Sequence, residues 1–216
     1  MKGLFITFEG PEGSGKTVVA RRLAEELTRR GERVRLTREP GGTRLGERVR
    51  EVLLGRADLG LAPRADALLF NAARAQLVAE VIRPAMAAGE IVVCARFADS
   101  TLAYQGYGAG LPLDELRAIA AVATGGLSPD LTILLDVDPE TGIGRKVAGA
   151  RNRFETFDLD FHRRVREGFL DLARAEPGRW RVVDSSRHID RVFDDVLAIV
   201  AGAVDSLRGS ASAPAR

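Results

Sequence analysis

The chain has 216 residues, a length suited to one domain with a substantial core, and its 45% apolar and 29% charged residues are ordinary for a soluble globular protein. A formal net charge of +2, with arginines and acidic residues interleaved, gives no nucleic-acid surface, so no nucleic-acid partner is expected. One cysteine, Cys94, excludes an internal disulfide, no apolar run nears the ~20 residues that span a bilayer, and no secretory segment precedes the first strand, so a cytoplasmic, membrane-free protein is expected.

Leu4 to Phe8 reads as a first strand and Val18 to Arg30 as a first helix. Between them stands Gly10-Pro11-Glu12-Gly13-Ser14-Gly15-Lys16-Thr17, which is G-x-x-x-x-G-K-[ST] in the strand-then-helix setting that motif requires. Three glycines in six residues let the backbone curl, so that successive N–H groups point inward as a nest for phosphate oxygens. The positive end of the following helix adds to that field. Lys16 can reach the β- and γ-phosphates, and the Thr17 hydroxyl suits a Mg²⁺ ligand. The chain holds 29 Arg and only three Lys, so a lysine at this position runs against its composition. Nucleoside triphosphate binding is the expectation.

Gly31 closes the helix, and Arg33 to Thr37 alternates like a strand. Arg38-Glu39-Pro40-Gly41-Gly42-Thr43 then turns the chain. A turn needs only Pro-Gly, so Arg38 and Glu39 either face a ligand or form a solvated ion pair. Helical sequence follows from Arg44 to about Leu54. Pro63 opens a longer helix to about Ile82, with Pro84 placed past its end. Phe70, Ala73, Arg74, Leu77 and Val81 share one stripe at helical period. Among apolar neighbours Arg74 must snorkel out or find a partner, and Phe70 with Arg74 one turn later would also make a stacking platform beside a donor fork.

Ile91 to Cys94 is a third strand. Arg96, Ser100, Thr101, Tyr104 and Gln105 cluster just beyond it, where ligands bind in open α/β sheets. Gly106 to Gly110 breaks the chain, and Leu113 to Thr124 is helical. Leu131 to Asp136 is a continuous apolar run of the buried parallel kind. Asp136 and Asp138 suggest either a metal site or a helix cap ahead of Pro139. A helix from Glu140 leads to Arg145 and a glycine-bearing basic stretch containing Arg151, Asn152 and Arg153, which reads as a phosphoryl-transfer lid or as a solvated loop. Leu159 to Ala175 is helical, Trp180 to Asp184 a last strand and Ile189 to Leu207 a last helix. Residues 208–216 read as a disordered tail. Without internal repeat or interdomain linker, residues 1–207 are expected to form one domain, an α/β fold with a five-stranded parallel sheet flanked by helices on both faces.

A guanine-specific switch would carry Asn-Lys-x-Asp, and the only asparagines are Asn71 and Asn152. The residues instead stand in the order of a known family. Phe8-Glu9-Gly10 through Thr17, Thr37-Arg38-Glu39-Pro40-Gly41-Gly42-Thr43, Leu69-Phe70 with Arg74, Arg96-Phe97 with Asp99-Ser100, and Ala103-Tyr104-Gln105-Gly106 closely resemble bacterial thymidylate kinases (dTMP kinases). The resemblance runs from Leu4 to about Val200.

It implies the P-loop kinase fold and Mg²⁺-assisted phosphoryl transfer from ATP to dTMP. Gly10 to Thr17 would hold ATP. Phe70 would stack on thymine, Arg74 would bond its carbonyl oxygen, and Thr101 and Gln105 would read the remaining edge beside Ser100. Tyr104 would crowd the sugar 2′ position and Glu39 would meet the 3′-hydroxyl side. Arg38, Arg50 and Arg96 would surround the acceptor phosphate, with Arg48 near enough to exchange with Arg50. No arginine lies between Gly10 and Lys16, so the catalytic cations would come from a lid near 145–156: Arg151 and Arg153, with Arg145 flanking adenine. A homodimer is implied as well. Position 95 departs from the pattern, being Ala where the family has Asp. That raises a second reading, a nucleotide-binding protein with little catalytic power.

Overall fold

The computed structural model describes residues 3–55, 59–145 and 157–211. Five strands, β1 (Leu4–Glu9), β2 (Val34–Arg38), β3 (Ile91–Ala95), β4 (Leu131–Asp136) and β5 (Trp180–Asp184), form one sheet in the order β2-β3-β1-β4-β5, and every pairing is parallel. The first strand is buried throughout, as a central strand covered on both faces must be.

Period-two alternation sends Leu4, Ile6 and Phe8 to one face of the sheet and Phe5 to the other. On the first face they meet Val19, Leu23 and Leu27 of α1 (Lys16–Arg29) and Val192, Val196 and Val200 of α9 (Ile189–Ala211). On the second face Phe5, Val92 and Cys94 pack with Leu77, Val78, Ile82 and Phe97. Further along that side, Leu134 and Trp180 join Tyr104, Leu116, Phe161, Val165 and Phe169. The remaining helices are α2 (Arg44–Leu54), α3 (Pro63–Leu77), α4 (Arg83–Ala87), α5 (Ala98–Thr101), α6 (Leu113–Thr124), α7 (Pro139–Gly144) and α8 (Leu159–Ala175).

Three helix boundaries differ from the sequence reading. The helix opened by Pro63 does not stop before Pro84. A π-helical turn over Val78–Ile82 carries it into α4, with the Arg83 N–H reaching back five residues to Val78 O. The widened turn lets the helix pass a residue that has no N–H to donate. Gly106 to Gly110 is likewise not a simple break, because Leu102–Gly108 winds as a second π-helical segment. Gly108 serves packing there: a Cβ on it would lie 2.7 Å from the Phe161 ring and 2.8 Å from Val165. Finally α9 extends to Ala211, so residues 208–211 of the expected tail are helical.

Asp138 caps α7, its Oδ1 accepting the Glu140 N–H at 3.0 Å, while Asp136 takes a bidentate pair of bonds from Arg166 at 2.7 and 2.8 Å. Both acids are thus accounted for by structure, and among the described residues no group of three or more His, Cys, Asp or Glu is arranged to hold a metal. No helix among the described residues is long and apolar enough to cross a membrane.

Candidate active site

A cavity of about 370 Å³ opens at the carboxyl ends of the strands, between the loop after β1, the turn after β2 and the segment after β3. The loop after β1 holds Gly13 and Gly15 at φ 72° and 88°, the left-handed values that turn successive N–H groups inward. Gly13 is also confined by its neighbour, since a Cβ there would lie 1.8 Å from Gly142 O in α7. The Lys16 ammonium is drawn over the loop, donating to Gly10 O at 2.8 Å, Pro11 O at 2.6 Å and the Ser14 hydroxyl at 3.0 Å. Glu12, Gly13, Gly15, Lys16 and Thr17 line the cavity.

Arg38, Arg50 and Arg96 also line the cavity. Arg38, at the end of β2, donates to both oxygens of Glu47 at 3.0 Å. Arg50, from α2, donates to Pro40 O at 2.8 Å, and burial followed by repulsion from Arg38 and Arg96 lowers its pKa. Arg48 is exposed and pairs with Glu51 at 3.0 Å, so Arg50 is the α2 arginine that reaches the cavity. Arg96 holds φ 72°, the one described non-glycine residue with positive φ, and donates to Glu12 Oε1 at 2.5 Å and to the Ser100 and Tyr104 hydroxyl oxygens at 3.2 Å. Tyr104 in turn donates to Glu12 Oε1 at 3.0 Å. Beneath this cluster Glu9 is fully buried. Burial, with repulsion from Asp99, pushes its carboxyl up to about 7, opposed by Ser100, Arg96 and the Phe97 N–H.

A recess beside the arginines is lined by Leu54, Phe70, Thr101 and Gln105. Arg74 does not line it. Its guanidinium is 1% exposed, donating to Glu39 Oε2 at 2.9 Å, Asn71 Oδ1 at 2.7 Å, Phe97 O at 3.1 Å and Thr101 Oγ1 at 3.0 Å. The arginine on the apolar stripe therefore finds partners and does not snorkel. Glu39 reaches the cavity but is no solvated partner of Arg38. It is buried against Arg74, its Oε1 has no hydrogen-bond partner among the described residues, and burial raises its pKa despite Arg74.

Arg145 lines the cavity while donating to Ser185 O at 2.7 Å and Ser186 O at 2.8 Å, which ties α7 to the loop after β5. Arg151, Arg153 and most of the stretch 145–156 lie outside the described residues. The sequence assigned no site role to Asp66 or Asn71, and placed Glu9 only within the motif Phe8-Glu9-Gly10. Asn71 stands one helical turn before Arg74, a spacing that does signal a partner. Asp66 sits in the first turn of α3, where an acid has the sufficient reason of the helix dipole, and Glu9 ends β1 just ahead of the glycine loop, where its motif position does not reveal its partners.

A parallel sheet with a P-loop at the carboxyl ends of its strands, and one cavity lined by that loop, by three arginines and by the recess beside them, is the arrangement of a P-loop kinase acting on a small phosphorylated acceptor. The chain belongs to the thymidylate kinase family: the family model described as Thymidylate kinase matches residues 8–196. It is 55% identical to a thymidylate kinase of Deinococcus radiodurans, covering 92% of this chain and 97% of that one. It is 50% identical to one of Roseiflexus sp., over 91% and 93%. The crystal structure of thymidylate kinase from Ehrlichia chaffeensis superposes with a TM-score of 0.76 at 36% identity, covering 93% of this chain and 99% of that one.

Proposed function

We propose that this protein transfers the γ-phosphoryl group of ATP to dTMP, producing dTDP and ADP on the route to dTTP. The observation that carries the reading is continuity: one cavity joins Lys16 and Thr17 to Phe70 and Gln105 past Arg38, Arg50 and Arg96. The acceptor phosphate is already an anionic nucleophile, so the residues need not supply a strong base. Their task is to bring two polyanions together and stabilise charge on the transferring group. Lys16 and the backbone of Gly10 to Thr17 would hold the donor phosphates, with Arg145 beside the adenine. Arg38, Arg50 and Arg96 would hold the acceptor phosphate. Phe70 would stack on thymine, Ser100, Thr101 and Gln105 would face its polar edge, Tyr104 would crowd the 2′ position, and Glu39 Oε1 would accept from the sugar hydroxyl. Arg74 would act on the base from behind Thr101.

Mg²⁺ fits this donor set. It commonly keeps several waters and few protein ligands, and Thr17 lines the cavity beside Lys16. Thr17 would hold the ion, which would supply charge neutralisation beside the donor phosphates. Within one domain of residues 1–207, Arg151 and Arg153 of the segment 145–156 would complete the cation shell as a lid that excludes water. The setting proposed is cytoplasmic, and the assembly a homodimer paired through the exposed apolar residues Val52, Leu68 and Val122 of α2, α3 and α6. Sedimentation at micromolar concentration checks the last point, a monomer excluding it.

Ala95 lines the cavity and favours a second reading, an impaired nucleotide-binding protein of the same fold. Coupled ADP release measured with and without dTMP separates the two. Release that depends on dTMP supports the kinase. Release driven instead by dCMP or AMP overturns the substrate, and nucleotide binding without release supports the second reading.

A further inference from the structure

Gln105 sits in the π-helical segment Leu102–Gly108, is 3% exposed and lines the recess beside Phe70 and Thr101. Its Nε2 donates to Asp66 Oδ2, in the first turn of α3, at 3.1 Å. Asp66 is itself buried. The carboxamide thus turns its NH₂ toward Asp66, and a carboxylate in that place can only accept. The Oε1 atom is what Gln105 has left for a ligand, and among the described residues nothing donates to it. Thr101 is polarised in the opposite sense: its Oγ1 accepts from Arg74 Nη2 at 3.0 Å, which leaves the hydroxyl hydrogen to donate.

We propose that Asp66 is a specificity-determining positioning residue, which locks Gln105 with its carbonyl oxygen toward the base and so selects a ring N–H. The inference rests on the reading of the recess as the dTMP base site. A thymine edge carries a donor at N3 beside an acceptor at C4, which complements an acceptor from Gln105 and a donor from Thr101. Cytosine carries the reverse pattern, an acceptor at N3 and a donor at C4. Were the carboxamide free to rotate, it would turn its NH₂ to cytosine N3 and half of the discrimination would vanish. A neutral amide in place of Asp66 would allow this, because Asn offers either an acceptor to Gln105 Nε2 or a donor to Oε1. A carboxylate offers only the first.

The test is Asp66→Asn, read as the inhibition constant of dCMP in competition with dTMP, together with kcat/KM for dTMP. The expected result is dCMP binding tightened on the order of 10-fold, since one hydrogen bond changes from opposed to matched. kcat/KM for dTMP should fall by no more than about two- to threefold, because the productive amide orientation remains populated. Asp66→Glu, which keeps an acceptor-only group, should leave the dTMP-to-dCMP ratio near that of the wild type. A purely structural role would weaken both nucleotides together and could not improve dCMP. Should Asp66→Asn fail to fold, the wild-type protein supplies the second measurement: slow exchange of the Gln105 side-chain amide hydrogens, seen by NMR, is expected with and without dTMP. Rapid exchange of those hydrogens, or an unchanged ratio in a folded Asp66→Asn protein, overturns the inference while leaving the kinase reading intact. A wild-type protein that binds dCMP as well as dTMP overturns the base-site reading itself.

Discussion

Glu9, at the end of β1, accepts the backbone N–H of Phe97 through Oε1 at 2.7 Å, while its Oε2 takes the Ser100 hydroxyl at 2.5 Å. The two bonds bracket Arg96, whose left-handed backbone is unfavourable for a residue with a Cβ by ~1–2 kcal/mol. Glu9 therefore braces the turn that aims Arg96 into the cavity. Glu9→Ala should lower kcat by about 10-fold, the loss typical of an outer support, with little change in ATP affinity. Glu9→Gln, which can keep both contacts, should lose far less.

The same carboxyl has a pH signature. Its pKa is raised from the ordinary 4.5 to about 7, so the folded protein holds the proton more tightly than the unfolded chain does. Stability from this group is full below pH 4.5 and is lost as pH rises to about 7, where the slope ends. At about 1.4 kcal/mol per pH unit, the loss is on the order of 3 kcal/mol. Urea unfolding of wild type and Glu9→Gln across that range should show the difference shrinking in the wild type's disfavour. Parallel curves would show that Glu9 stays ionised throughout.

Arg74 and Glu39 form an ion pair with side chains 1% and 3% exposed. Removing one partner strands the other in a dry site, a cost of ~3–5 kcal/mol, whereas removing both leaves no buried charge. Arg74→Met should accordingly be more destabilised than Arg74→Met with Glu39→Met, in spite of carrying fewer changes. Additive losses in denaturant melts would mean that water reaches the pair.

Ala95 ends β3 opposite Phe8 of β1 and borders the same cavity as Lys16 and Thr17. A carboxylate there would orient metal-bound water or Thr17. Losing such a partner typically costs ~10–100-fold in activity, so Ala95→Asp should raise kcat by that order at saturating Mg²⁺ and ATP. dTMP affinity, which the proposed function assigns to the Phe70 recess, should hold. Equal kcat values would show that the missing carboxylate has no role in this chain.

Arg153 has a purely kinetic prediction. If its charge is needed mainly while the phosphoryl group moves, Arg153→Ala should lower kcat much more than it raises KM for dTMP. An unchanged kcat would remove it from the mechanism.

Sequence alone determined the strands, the phosphate loop and the family, because these rest on local signals. Glycines at Gly10, Gly13 and Gly15 ahead of Lys16 mark backbone geometry directly, and a short, largely apolar run such as Leu131–Leu135 between turn signals fits a buried strand. Leu113–Thr124 and Leu159–Ala175 stand where the period placed them. What tertiary structure decided were partnerships between residues distant in the chain. Arg74 meets Glu39 across 35 positions, Gln105 meets Asp66 across 39 and Glu9 meets Phe97 across 88. Nothing in a local pattern distinguishes a helix-dipole aspartate from one that orients a glutamine. The choice of Arg50 over Arg48 depended on which face of α2 turns inward, and the passage of the helix beyond Pro84 on a π turn that packing holds open. Burial and pairing energies arise only when the chain has closed, so they are written in the fold and not in the spacing.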